Sequence, residues 1–309
     1  MRLLPAALLV ACGSSAPSAP WAALPPLPAA RQETGVAALG GKIYVVGGFD
    51  SAGRVVATVE AYDVEARTWA AKAPLPRALH HANVAAAGGK VYVAGALAGA
   101  SFAAAGDVFE YDPAADRWTQ KASMPAGTER GASGVAVLGG LIYAAGGFRG
   151  GSVADFSAYD PARDAWETLP ALPAARDHLI AAAAGGVFLA IGGRKGGALD
   201  GRVDAWDPAA RSWSPRAAMR TARAGIAGAA AGTRVAVFGG EGNAGAANGI
   251  FPHTEIYDAA ADRWSAAADM PTPRHGTGAA AIDRTFFVPG GATVQGFGAS
   301  AAFEAFTLP

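Results

Sequence analysis

Apolar residues along this chain come in runs of about five, and glycine pairs close the runs where charged stretches might be expected. "GGKIYVVGGF", residues 40–49, is the clearest case. The pattern returns as "GGKVYVAGA" at 88–96, "GGLIYAAGG" at 139–147, "GGVFLAIGG" at 185–193, "GTRVAVFGG" at 232–240 and "DRTFFVPGG" at 283–291. The first glycine of the closing pair falls at 47, 95, 146, 192, 239 and 290, a repeat of 46 to 51 residues. Short runs rich in β-branched and aromatic residues, bounded by turn formers, predict strands. No amphipathic helical period occurs. A strand that ends in glycines can open a phosphate-binding loop, but such a loop occurs once and this pattern recurs. The glycines therefore belong to a repeat unit.

Other markers keep the same step. "YD" stands at Tyr62, Tyr111, Tyr159 and Tyr257, with "WD" at Trp206. Seven residues after each comes Trp69, Trp118, Trp166, Trp264 or Trp213. Six residues past most of the tryptophans lies a Leu-Pro or Met-Pro, followed by Arg31, Arg176, Arg223 or Arg274, with Arg130 offset by two. Glycine pair, Tyr-Asp, tryptophan, Leu/Met-Pro and arginine in this order resemble the Kelch repeat. The resemblance covers nearly all of the chain after residue 20 and implies an all-β, six-bladed propeller of four-stranded antiparallel blades. The physics is consistent with it: one such sheet cannot bury both faces alone, so neighbours stack in a ring that leaves few exposed edges. Tyrosine and tryptophan are expected to fill the wedges between blades, each with a large apolar body and a polar tip.

The last unit stops at Pro309 before any tryptophan strand, and "WAALPPLPAAR" at 21–31 has the outer-strand pattern with no unit before it. This predicts that the N-terminal strand completes the last blade, giving a propeller over 21–309. Ahead of it, residues 1–11 read as a lipoprotein-type signal peptide. Leu9-Val10-Ala11-Cys12 matches a bacterial lipobox with Cys12 as the lipidated residue, and 12–20 reads as a flexible tether. The expected location is extracytoplasmic, in the cell envelope or periplasm, anchored through that lipid. Cys12 is the chain's single cysteine, so no intramolecular disulfide forms. The formal net charge is zero, which removes the electrostatic case for nucleic acid.

Known enzymatic chemistries find little support. "GEGNAG" at 240–245 satisfies G-x-G-x-x-G, but no helix pattern follows it. A copper-radical oxidase of the galactose oxidase kind, known on Kelch propellers, needs a cysteine cross-linked to tyrosine, and Cys12 lies in the leader. His80 and His81 are adjacent, so on a strand they face opposite ways. The expectation is no metal site and no cofactor.

The Tyr-Asp to tryptophan turn is constant, while the stretch from the closing glycines to the next "YD" varies in length. One edge of the ring is thus uniform and the other carries variable loops, where binding usually lives. Gln32-Glu33, His80-His81, Asp177-His178 and His275 follow the arginine position on that edge. In blade two, Leu79 occupies the arginine slot and Arg77 lies two residues earlier. Arginines here engage acidic ligands in some Kelch domains, and they can equally hold their own blade by bonding loop carbonyls. The candidate ligand-binding residues are Arg31, Arg130, Arg176, Arg223, Arg274, His80, His178 and His275 around the central channel. The favoured function is a non-enzymatic binding module, a monomer that grips a protein, peptide or glycan bearing acidic groups. The alternative is an enzyme resembling sialic-acid mutarotases, with Glu33, Asp177, His178 and His275 as acid–base groups.

Overall fold

In the computed structural model, which describes residues 20–308, six four-stranded antiparallel sheets stand around one axis. Blade I is a meander of Gly35–Leu39, Lys42–Val46, Val59–Asp63 and Thr68–Lys72, from the channel outward. Blades II to V repeat it, starting at Val84, Gly134, Ile180 and Ala227. Blade VI consists of Ala280–Ile282, Thr285–Pro289 and Phe303–Thr307, with Trp21–Ala23 as its outermost strand. Trp21 pairs with Phe306, Ala22 with Ala305 and Ala23 with Glu304. The innermost strands of neighbouring blades pack against each other all the way round, and blade VI meets blade I. The N-terminal closure expected from the sequence is therefore what joins the ends of the ring.

The core lies between blades. Each wedge is filled from both sides, as where Phe156, Leu172, Leu179, Phe188 and Trp206 join blades III and IV. Tryptophan indoles stitch each wedge at its rim. Nε1 of Trp69, Trp118, Trp166, Trp213 and Trp264 donates to a carbonyl of the preceding blade, at Pro25, Ala73, Ala122, Pro170 and Ala217. Trp21 does the same to Ala268 at 2.9 Å, so the borrowed strand carries the same stitch as the others. On the uniform edge, Oδ1 of Asp63, Asp112, Asp160, Asp207 and Asp258 accepts backbone N–H groups two and three residues on. That side-chain turn explains why the Tyr-Asp loop never changes length.

The expected signal peptide, most of the expected tether and Cys12 fall on residues 1–19, outside the described residues. Among those described, no helix is long and apolar enough to cross a membrane.

Candidate functional site

At the variable-loop end of the channel the six blades are tied by a closed ring of backbone hydrogen bonds. The N–H of His81 donates to the carbonyl of Glu33, Ala132 to His81, and His178 to Ala132, each at 2.9 Å. Gly225 donates to His178 and Gly276 to Gly225, each at 3.0 Å, and Glu33 to Gly276 closes the circle. All six residues are in the left-handed region, with φ between 49° and 63°. This conformation costs a residue with a Cβ roughly 1–2 kcal/mol. Glycine at 225 and 276 meets that demand, whereas Glu33, His81, Ala132 and His178 accept the strain. Such strain on polar residues marks a place where side-chain direction matters.

The ring gathers these three side chains at one level of the axis. Nε2 of His81 lies 3.1 Å from Nε2 of His178 and 3.1 Å from Oε2 of Glu33. The other ring nitrogens define the tautomers. Nε2 of His80 contacts the Gly99 carbonyl at 3.1 Å, which only accepts, so His80 donates there and its Nδ1 is bare. His81 then donates from Nδ1 to His80 Nδ1 at 2.6 Å, leaving its own Nε2 as a lone pair. His178 donates from Nδ1 to Asp177 at 2.5 Å, so its Nε2 is also a lone pair, which accepts from Arg194. Burial, reinforced by His178, His80 and Arg194, holds the His81 pKa well below the usual histidine value, and it is neutral at physiological pH. His80 is lowered too, chiefly by burial. Burial alone raises Asp177, but the hydrogen bonds from His178 Nδ1 and the Ser152 hydroxyl, with the charge of Arg194, bring it below the ordinary carboxylate range.

A second tier sits beside the ring, where the residue after the closing glycines bridges the residue after the arginine position. The bridges are Gln32 with Phe49, His80 with Leu97, Gly131 with Phe148, Asp177 with Arg194, Ala224 with Glu241, and His275 with Ala292. Arg194 reaches Glu241 at 2.5 Å and His178 Nε2 at 3.2 Å. His275 bonds the Val294 carbonyl through Nε2, and its Nδ1 lies 3.5 Å from Glu241. Phe49, Phe102 and Phe297 rim a cavity of about 200 Å³ whose floor is Glu33, His81 and His178. Phe49 packs against His80 in a tilted arrangement, ring centroids 4.3 Å apart, and meets Phe297 edge-on at 5.3 Å.

Over residues 18–174 the chain matches the family described as "KLHDC2/KLHL20/DRC7 Kelch-repeats domain". The chain belongs to the Kelch-repeat family. It is also 35% identical over 300 residues to "Kelch-like protein terF" of Aspergillus terreus (strain NIH 2624 / FGSC A1156), covering 94% of this chain and 56% of that protein. It thus spans little more than half the length of that curated relative. The solved structure of YjhT superposes with a TM-score of 0.77 at 17% identity, over 92% of this chain and 97% of YjhT. At that identity the likeness speaks for the fold alone.

The Kelch arginines are not at the channel mouth. Arg31, Arg130, Arg176, Arg223 and Arg274 are each at most 1% exposed. Arg31 bonds Glu60 and the Thr58 carbonyl. Arg130 bonds the carbonyls of Ala144 and Gly146 and the Ser157 hydroxyl. Arg176 pairs with Asp204 at 2.7 Å, Arg223 lies 3.7 Å from Glu255, and Arg274 pairs with Glu304 at 2.5 Å. Burial pulls Arg130 and Arg223 down to about 10, so both remain charged at neutral pH. The expectation that these five touch ligand is corrected: an acid or carbonyl within each blade takes the guanidinium into the wall. With them goes the argument for an acidic ligand, since the mouth itself carries Glu33, Asp177 and Glu241 against Arg194. His80 and His275 are likewise buried, at 0% and 1% exposure, and act on their neighbours. Of the expected ligand-binding residues, His178 and the more deeply buried His275 line the cavity.

The expectation of no metal site rested in part on strand geometry that the structure does not keep. His81, at φ 49°, leaves the strand alternation on which that inference rested, and its ring turns toward His178 and Glu33. Glu241, Phe102 and Phe297 were missed. Glu241 had a signal, because it follows the closing glycines as Phe49, Phe148 and Arg194 do. The dinucleotide reading of "GEGNAG" had only directed attention to the glycines.

Proposed function

We propose that this Kelch propeller is a non-enzymatic module that binds a protein partner on its variable-loop face, over the channel mouth. One observation carries the reading. Among the described residues, Val294 and Phe297 are the large hydrophobics left exposed, at 42% and 60%, and both sit on one loop of blade VI beside the mouth. The loop is built to present them. Gln32 donates to the Gly296 carbonyl at 2.8 Å and accepts from the Gly298 N–H at 2.7 Å, clamping the backbone on both sides of Phe297. An aromatic held proud of a polar floor suits the centre of a protein interface, where such anchors contribute most of the affinity.

A photo-reactive phenylalanine analogue at position 297 is expected to cross-link a partner from lysate of the native host. The same analogue at Ala115, on the uniform edge, should not. Phe297→Ala should weaken capture of that partner by about thirtyfold, the equivalent of about 2 kcal/mol. Its thermal midpoint should stay close to that of the parent. Equal cross-linking from both positions would end the proposal.

The reading includes extracytoplasmic tethering through a lipidated Cys12, supported by the sequence Leu9-Val10-Ala11-Cys12. Labelled palmitate should enter the parent protein and be absent from Cys12→Ser. Equal labelling of both would remove the tether from the proposal.

A further inference from the structure

We propose that Glu33, His81 and His178 bind one divalent transition-metal ion of the Zn²⁺ class on the channel axis, at the level of the hydrogen-bonded ring. Three independent features converge there.

The first is donor direction. Nε2 of His81 and Nε2 of His178 are both lone pairs, because the opposite nitrogen of each ring donates, to His80 and to Asp177 respectively. A carboxylate or imidazole acceptor behind each ligating histidine is the usual means of holding such a ligand in its tautomer and orientation. The two imidazole lone pairs and the Glu33 oxygen repel one another, and the Arg194 guanidinium, 3.2 Å from His178 Nε2, offsets this at one side of the cluster alone.

The second is spacing. The three donor atoms lie within 4.8 Å of one another, and two of the three separations are 3.1 Å. In a tetrahedral site with bonds of about 2.0–2.1 Å, ligand atoms are about 3.3 Å apart. A small swing of Glu33 completes the third edge.

The third is backbone. Each donor occupies a left-handed position that a glycine fills elsewhere in the same ring. Gly276 keeps the space beside Glu33 open, since a Cβ there would collide with the Glu33 carboxylate.

Two imidazoles and one carboxylate match zinc and its first-row neighbours, whereas Ca²⁺ and Mg²⁺ prefer all-oxygen sets. The fourth position faces the cavity of about 200 Å³ under the phenylalanine rim, which supplies a route in and room for water. Arg194 opposes binding. Its guanidinium lies 3.2 Å from His178 Nε2 and must swing toward Glu241 for the ion to seat.

The untagged full-length chain carrying Cys12→Ser, which removes its one thiol, is to be titrated with Zn²⁺ by calorimetry. Retention after desalting is to be measured by elemental analysis and compared with Mg²⁺ and Ca²⁺. The expected result is one Zn²⁺ per chain, negligible Mg²⁺ and Ca²⁺ binding, and a thermal midpoint that rises with Zn²⁺. Glu33→Asn and His178→Asn keep a residue that tolerates the left-handed backbone, and each should weaken Zn²⁺ at least tenfold. Arg194→Gln should tighten Zn²⁺ several-fold, an effect that loss of folding cannot imitate. Co²⁺ should give the visible absorption of a four- or five-coordinate ion in the parent, so the test survives if an asparagine variant misfolds. No stoichiometric binding in the parent, or equal binding in parent, His178→Asn and Arg194→Gln, overturns the proposal.

Discussion

Arg274→Leu alone is expected to lower stability by about 3–5 kcal/mol, while Arg274→Leu combined with Glu304→Phe recovers most of the loss. Arg274 is buried in blade VI, where it bonds Glu304 at 2.5 Å and the carbonyls of Thr272 and Val288. Taking away the guanidinium leaves the Glu304 carboxylate, itself 5% exposed, with the Thr272 hydroxyl and, among the described residues, no other ion-pair partner. The cost is that of an uncompensated buried charge, which exceeds the net worth of the pair. The protein carries the control in blade II, where Leu79 stands in the arginine slot. Phe109 stands at the position of the partner acid, two residues before the aromatic of "YD" or "WD", as Glu60, Asp204 and Glu255 do in their blades. Leu79 and Phe109 are 0% and 3% exposed and belong to one apolar cluster. The same wall can thus be built with an ion pair or with an apolar pair, but not with half of each. Urea unfolding of the two single variants and the double variant measures the coupling. A double variant no better than Arg274→Leu would show that the pair is not what holds this blade.

Truncation of residues 1–30 should lower the melting temperature by about 10–20 °C or abolish cooperative unfolding, given that each kcal/mol is worth about 2–4 °C in a chain of this size. The deleted segment supplies the fourth strand of blade VI through Trp21, Ala22 and Ala23. It also buries Leu27 and packs the Trp21 ring against Phe238 and Phe306. Burying one large apolar side chain is worth about 1.5–3 kcal/mol. Without the strand, blade VI would also present an unpaired edge to solvent. The position of the C-terminus provides a rescue, since the Thr307 N–H donates to the Pro20 carbonyl at 2.8 Å. Placing residues 20–30 after Pro309 through a short turn lets the strand fold back as a hairpin and should restore the midpoint. Differential scanning calorimetry of truncated and permuted chains decides the matter. A truncated chain that melts like the parent would mean that the ring does not depend on this closure.

The repeat period, the number of blades and the role of residues 21–31 were legible in the sequence alone, because each rests on local chemistry. Glycine pairs end strands wherever they occur, Asp in "YD" caps its own turn, and a missing outer strand at one end with a spare one at the other admits one arrangement. The sequence also marked the residues that follow the arginine position, and Glu33, His81, Asp177, His178 and His275 do meet around one mouth.

What it left open was direction. Whether Arg176 points along the channel or into its wall depends on Asp204, 28 residues away, being within reach in the folded blade. His80 and His81 would face opposite ways on a regular strand. They share one network because the ring of backbone bonds imposes a left-handed turn at His81, and that ring exists only once all six blades have closed. Glu33, His81 and His178 come from three separate blades, so no local pattern could place their donor atoms 3.1 Å apart. Ring closure alone brings them to a common axis.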